Sequence, residues 1–449
     1  MLIRYTVSNF CSFKDEVELS MIPSRERAHK TQIYKPESRS CINLLKGAVV
    51  YGPNASGKSN LVRSMGFARD VILRGRPPNK RFNIPRFKLS PKMATAPSRF
   101  EFEIQCNGRM YAYGFELFDT HVHEEWLYLL KSGKETAIFE RKSSGAGQEH
   151  SYTFGGFAEK LKPGEITLRD FVSKGTRKNQ LFLPETVNRN LHFFADVYNW
   201  FDRTLRIITP TSKAMRIEFR LTRDEEFKDY LTDVLDVADT GINAIRALSV
   251  PASELSGIPE KMLEKLEEDL DEGDGALVGS QDNARPLVLK KHGGGILAYK
   301  LSTTRKSEES GEEVSFEMDE ESDGTRRLID LTPALYEMAY SKDARVFVID
   351  EIDRSLHPHL SRLLVQKHLE SEENALSQFI ATTHETSLLD VSIIRRDEIW
   401  FMEKDEKGAS QLYSLNNFKP RKDKAIRKDY LLGRYGAIPF VGDFKRLSR

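Results

Sequence analysis

Cysteine is scarce in this chain: three residues among 449, Cys11, Cys41 and Cys106, widely spaced and odd in number. That pattern supports neither a disulfide framework nor a zinc site, and makes a reducing cytoplasm the expected compartment. Long apolar runs are missing as well. None reaches the roughly 18 residues that a membrane span requires. The opening Met1-Leu2-Ile3-Arg4-Tyr5 turns polar too soon for a signal peptide, so no membrane association is expected. No heptad pattern persists for three or four heptads, which excludes a long coiled-coil arm, and no internal repeat is found. Net charge is almost absent too, at +1.

That near-neutrality conceals an asymmetry. Residues 419–449 hold ten Lys and Arg against three Asp, so the preceding 418 residues carry a net charge of −6. A basic tail of this kind meets phosphate backbones or an acidic partner surface, or it is simply a solvated terminal helix. Tyr430, Leu431, Leu432, Tyr435, Ile438 and Phe440 within it predict that part of the tail packs against something.

The remainder has the composition of a globular protein, 39% apolar and 30% charged, long enough for two or three lobes of about 100–200 residues. Alternation over residues 2–7 and 16–19 predicts strands, and residues 100–104, 110–117 and 126–130 predict an antiparallel β layer. Asn107-Gly108 is a hairpin turn signal between the first two of these three runs; Ser132-Gly133 is a second turn, and residues 143–148 read as a Gly/Ser-rich loop. Residues 191–201 and 227–237 fit helical spacing. Residues 260–272 read as a short exposed helix, and 307–313 as a charged linker.

The chemistry-bearing segments have a definite order. Gly47-Ala48-Val49-Val50-Tyr51 runs into Gly52-Pro53-Asn54-Ala55-Ser56-Gly57-Lys58-Ser59, a complete GxxxxGK[ST] loop, and an amphipathic stretch follows Asn60. A strand ending in a glycine-rich turn that opens a helix aims backbone N–H groups and a helix N-terminus at one point. Phosphate suits that point, with Lys58 reaching its outer oxygens and the Ser59 hydroxyl placed for Mg²⁺. Far downstream, Val346-Phe347-Val348-Ile349 ends in Asp350-Glu351, as a buried parallel strand does where α/β proteins put their chemistry. Asp350 is the expected Mg²⁺ ligand and Glu351 the expected base or water-polarising group. Ser322 and Gly324 put a hydroxyl and bare N–H groups at a helix start ahead of that strand, a second anion site. Phe379-Ile380-Ala381-Thr382-Thr383 ends in His384, whose imidazole can reach a γ-phosphate. His357 and His359 lie too close to the start of the intervening helix to suggest metal ligation.

This set resembles the ABC-type ATPases over most of the chain. The loop with Asn54 and Asn60-Leu61 looks like the GxNxSGKSNL form of SMC, recombination-repair and OLD-like ATPases, and Val7-Ser8-Asn9-Phe10-Cys11-Ser12-Phe13 is similar to their first strand. The resemblance implies an α/β fold, an ABC-type P-loop NTPase with a mixed sheet and an antiparallel β layer carrying a mainly helical insertion. Residues 1–185 are expected as the first ATPase lobe, 186–310 as the insertion, 311–405 as the second lobe and 406–449 as a basic tail. Ser322-Asp323-Gly324-Thr325 corresponds to a diverged signature motif, Asp350-Glu351 to Walker B, Asp353 to the D-loop and His384 to the switch histidine. Gln105 is the nearest candidate for a Q-loop glutamine, and it falls in the β layer.

The implied activity is Mg²⁺-dependent ATP hydrolysis, with Lys58, Glu351 and His384 catalytic, Gly52 to Asn60 and Asp353 binding nucleotide, and Ser59 and Asp350 binding metal. Ser322 and Gly324 would close over the nucleotide of a second copy, so at least a homodimer is implied. Residues 324–331 and 429–439 look like compact bacterial ATPases of abortive-infection and anti-phage systems, relatives of OLD nucleases. The 65 residues after His384 are too few for a Toprim nuclease domain and lack its Glu and Asp-x-Asp pattern. A separately encoded effector, a nuclease or toxin, is therefore the implied partner. A DNA-repair or chromosome-maintenance ATPase that meets nucleic acid through its basic tail is the alternative.

Overall fold

A computed structural model describes residues 1–131, 134–144, 149–156, 161–214, 217–254, 258–271, 274–278, 287–370, 376–418 and 426–438. The Ser132-Gly133 turn, residues 145–148 of the Gly/Ser-rich stretch, and the tail on either side of 426–438 lie outside them. The chain has an α/β fold with parallel and antiparallel sheets, and it divides into two compact units.

The first unit comprises residues 1–210, 341–353 and 361–449. Its six-stranded sheet runs in the order Leu205–Ile208, Arg345–Ile349, Ser377–Thr383, Gly47–Tyr51, Ile399–Lys404, Ser410–Ser414. The first five strands are parallel and the last is antiparallel. Every residue of Gly47–Tyr51 and Ser377–Thr383 is buried, which is why these strands read as apolar runs without alternation. Gly47 is glycine because a side chain there would sit 2.6 Å from the Phe379 ring.

A seven-stranded antiparallel sheet forms the β layer, running from Glu149–Phe154 through Lys134–Ser144, Val122–Lys131, Arg109–Leu117, Ser98–Cys106 and Leu2–Ser8 to Val17–Ser20. Asn107 and Gly108 both have positive φ, 47° and 70°, and pair Cys106 with Arg109, as a primed two-residue turn requires. The helix Lys58–Arg74 packs into one core with both sheets. Leu61, Met65, Ala68 and Ile72 share it with Tyr5 and Phe102 of the β layer and with Val50, Val348 and Ile380 of the parallel sheet. The Tyr5 hydroxyl donates to Ser64 Oγ at 2.8 Å on that helix.

The second unit comprises residues 211–340 and 354–360. It holds the helices Ile217–Leu221, Glu225–Val237, Glu260–Asp269 and Asp323–Tyr340 and a five-stranded antiparallel sheet. In that sheet Gly295–Lys306 pairs with Ala244–Pro251 on one side and with Leu287–His292 and Glu313–Glu317 on the other. Glu260–Asp269 buries none of its residues, as its acidic sequence predicts.

Several expectations need correction. The segment 186–310 is not mainly helical: among the described residues five strands, Leu205–Ile208, Ala244–Pro251, Gly275–Val278, Leu287–His292 and Gly295–Lys306, lie in it. Their alternation is blurred because much of Ala244–Pro251 is exposed on both faces. Compactness also divides the chain elsewhere than at 185, 310 and 405, since 186–210 folds with the first unit and 311–340 with the second. Residues 307–313 are no linker: 307–312 form a hairpin turn after Gly295–Lys306, and Glu313 opens the strand Glu313–Glu317. Nor do residues 406–418 begin a separate tail, because Ser410–Ser414 is the sixth strand of the parallel sheet. Among the described residues no helix is long and apolar enough to cross a membrane.

Candidate functional site

Three neighbouring parallel strands end at one point. Arg345–Ile349, Ser377–Thr383 and Gly47–Tyr51 lie side by side, and their C-terminal ends deliver Asp350, His384 and Gly52. Open α/β sheets place chemistry there because the strand ends leave a crevice and the following helices turn their N-termini toward it.

The loop from Gly52 to Gly57 is shaped by close approaches. A Cβ on Gly52 would lie 2.2 Å from the Met402 carbonyl oxygen, a backbone atom that cannot yield. Ala55 and Gly57 have φ of 63° and 119°, and left-handed residues in such a turn bring successive N–H groups to one side. Gly57 caps the helix Lys58–Arg74 without a side-chain hydrogen bond, leaving the first-turn N–H groups for a ligand. Asn54 and Ala55 are exposed, Pro53 is half-buried and Ser56 is buried.

Lys58 is 5% exposed and donates through Nζ to the Gly52 and Pro53 carbonyls at 2.7 and 3.1 Å. Its Nζ also lies 3.5 Å from His384 Nδ1. Burial pulls the ammonium down to about 8, while Asp350, Asp353 and Glu351 push the other way. His384 is likewise lowered, by burial first and then by Lys58, which favours its neutral imidazole. The Ser59 hydroxyl donates to Asp350 Oδ1 at 3.2 Å, bringing two hard oxygen ligands together.

Thr382 organises the carboxylates, and sequence reasoning missed it. Its hydroxyl donates to Asp350 Oδ1 at 2.6 Å and accepts from the Glu351 N–H at 2.8 Å. Glu351 is held at φ 49°, a conformation that costs a non-glycine residue on the order of 1 kcal/mol and persists only where surroundings enforce it. The Asp353 carboxylate accepts from the His384 N–H at 3.4 Å through Oδ2, while its Oδ1 is buried with no hydrogen-bond partner. Asn60 points to Ser12 rather than into the crevice, its Nδ2 donating to Ser12 Oγ at 2.8 Å.

Ser322 and Gly324 belong to the second unit. Ser322 Oγ accepts from the Thr325 N–H at 3.1 Å and so caps Asp323–Tyr340, and Gly324 allows the Ser355 carbonyl oxygen within 2.6 Å of where its Cβ would be. Both line a cavity of about 520 Å³ with Arg305, Phe316, Glu321 and His357. The Glu321 carboxylate, just before Ser322, takes a two-pronged hydrogen bond from Arg305 at 2.7 and 2.9 Å and another from the Thr303 hydroxyl. Gln105 serves the β layer, its carbonyl accepting from the Met1 amine at 2.7 Å and its side chain from the Ile42 N–H at 3.3 Å. The His357 and His359 rings stack at 5.5 Å, and no group of three or more His, Cys, Asp or Glu among the described residues is arranged to hold a metal.

The residues present fit a phosphate anion with a hard divalent cation. The Ser56 hydroxyl is buried with no hydrogen-bond partner, glycines leave the loop backbone uncovered, and Ser59 with Asp350 supply two oxygen ligands. Mg²⁺ characteristically takes one or two protein ligands and completes its shell with substrate phosphates and water.

The protein-family comparison matches residues 48–390 to the family described as "AAA domain, putative AbiEii toxin, Type IV TA system". Among solved structures, the chain is similar to the SMC head domain from Thermotoga maritima at 12% identity and a TM-score of 0.36, covering 92% of this chain and 98% of that one. It is similar as well to the recombination mediator protein RecF-ATPrS in the RecFOR pathway, at 14% identity, a TM-score of 0.32 and the same coverages. A comparison with curated proteins found no match.

Proposed function

The chain belongs to the AAA domain family of the AbiEii type, and on that premise we propose that it is an ABC-type, Mg²⁺-dependent ATPase that dimerises on ATP and regulates a separately encoded toxic effector in anti-phage defence. The observation that carries the ATPase reading is the meeting of Lys58, Ser59, Asp350 and His384 at three adjacent strand ends. The family's description, a type IV toxin–antitoxin system, supports the link to an effector. A cytoplasmic setting fits three unpaired cysteines.

In this reading the loop N–H groups and Lys58 hold the outer phosphates, and Ser59 and Asp350 hold Mg²⁺. The metal, when bound, neutralises charge on the phosphates. Glu351, fixed through its N–H by Thr382, accepts the proton of the attacking water. His384, neutral beside Lys58, orients the terminal phosphate. Ser322 and Gly324 serve the nucleotide of a second copy, and Asp353 acts as the D-loop residue that binds nucleotide. Light scattering after size exclusion, with and without ATP and Mg²⁺, tests the dimer: the mass doubles with nucleotide, and an unchanged mass overturns it.

Lys58 also sets a pH dependence. A bound anion favours its charged form, so its pKa in the complex lies above the value of about 8 in the free protein. Between those values binding takes up a proton, and ATP affinity falls as pH rises, by up to tenfold per unit. Calorimetry at pH 7, 8 and 9 in buffers of different ionisation enthalpy reads the uptake directly. Without nucleotide the sign reverses. The lowered pKa makes the free protein more stable as pH rises from about 8 toward 10.5.

A further inference from the structure

Four polar groups from three distant parts of the first unit form a chain beneath the P-loop. Asn60 Nδ2 lies 2.8 Å from Ser12 Oγ, Ser12 Oγ lies 2.7 Å from Ser410 Oγ, and Ser410 Oγ lies 2.5 Å from the Ser56 carbonyl oxygen. Three contacts need three protons. The carbonyl only accepts and each hydroxyl has one proton, so every contact is satisfied in one direction only. Asn60 donates to Ser12, Ser12 to Ser410, and Ser410 to Ser56. The Ser12 carbonyl accepts from the Ser410 N–H at 2.8 Å as well, which fixes the two serines side by side.

The end of this relay is a peptide of the anion-binding loop. In a planar trans peptide the carbonyl and the following N–H point to opposite sides. Holding the Ser56 carbonyl toward Ser410 therefore turns the Gly57 N–H away from the serine wall. Gly57 permits the contact: a Cβ there would lie 2.3 Å from Ser410 Oγ and 2.9 Å from Ser12 Oγ, and its φ is 119°.

We propose that Ser410, supported by Ser12 and Asn60, is a positioning residue that fixes the Ser56–Gly57 peptide of the P-loop in its phosphate-binding orientation. This rests on the nucleotide-binding reading above. It also gives the Asn60 side chain a different part from the one its place in the motif suggests: its amide orients the serine pair. The strand Ser410–Ser414, far from the motif in sequence, becomes part of the nucleotide site's frame.

The test compares the full-length parental chain, Ser410→Ala and Ser12→Ala for ATP binding by calorimetry, for steady-state ATP turnover, and for melting temperature. Ser410→Ala leaves a buried carbonyl without its donor and frees the peptide to rotate, and the ATP Kd and KM rise about tenfold while kcat falls by less than about threefold. Ser12→Ala leaves Ser410 its own proton for Ser56, and the Kd rises only about twofold. That ranking, read at temperatures where all three proteins are folded, is not what a general loss of stability produces. Equal ATP affinity of the parental chain and Ser410→Ala overturns the inference alone, as does an equal effect of the two substitutions. Absence of ATP binding by the parental chain overturns the proposed function and this inference with it.

Discussion

Glu351→Gln lowers ATP turnover by about 10²–10⁴-fold, the range lost when a positioned general base is removed, and leaves ATP affinity within roughly threefold of the parental value. The asymmetry follows from where Glu351 is held. Its N–H is fixed by Thr382, whose hydroxyl also grips Asp350, and its backbone sits in the left-handed region. Glutamine keeps the size and the backbone contact, so Asp350, Ser59 and Lys58 stay in place and phosphate binding survives. The amide cannot take a proton from water. Where hydrolysis opens an ATP-bridged dimer, the variant accumulates as that dimer in ATP and Mg²⁺, which light scattering reads beside a phosphate-release assay. Turnover at the parental rate removes Glu351 from the chemistry.

What made the site legible is local. The strand, glycine turn and helix around Lys58 are contiguous, and so are the buried strands that end in Asp350 and His384; each has a pattern that backbone geometry dictates. Thr382, Ser12 and Ser410 were not legible. Their parts depend on strand order, which brings residue 382 beside 350 and residue 410 beside 12 and 56, and no spacing in the sequence encodes that. The same limit explains the second unit. Apart from the long Gly295–Lys306, its strands are short or exposed, and their pairing across turns, not their composition, makes them strands.

Residues 191–201 show a different limit. Helical spacing was read there, and the structure divides the segment into a 3₁₀ turn His192–Phe194, an α-turn Ala195–Asn199 and a π-turn Trp200–Thr204. Phe194, Val197, Trp200 and Phe201 are all buried. Phe194, Val197 and Phe201 keep the three- and four-residue spacing of one helical face, and the neighbouring Trp200 widens it.

A second large effect is expected far from the crevice. Glu125 and Arg141, on paired strands of the β layer, are wholly buried and face each other at 3.6 Å. The Glu125 carboxylate accepts from the Phe182 and Leu183 N–H groups at 2.6 and 3.0 Å, satisfying the first turn of the helix Phe182–Asn188, and from the Tyr113 hydroxyl at 3.0 Å. Arg141 donates to the Gln180 and Arg177 carbonyls at 2.5 and 3.1 Å. The pair thus pins residues 177–183 to the β layer from both charges at once. Burial raises the Glu125 pKa in spite of Arg141, so the carboxylate sits where charge is costly and depends on every one of these donors. Glu125→Gln presents an N–H group to N–H donors and strands the guanidinium, and removing one partner of a buried pair costs about 3–5 kcal/mol. Arg141→Met removes the donors to the Gln180 and Arg177 carbonyls and strands the carboxylate, with a loss of about the same size. The double variant loses less than the sum, because the second substitution removes the charge that the first left unpaired. Denaturant unfolding of the four proteins reads the coupling; strictly additive losses would mean that the two charges are held by their backbone partners and not by each other.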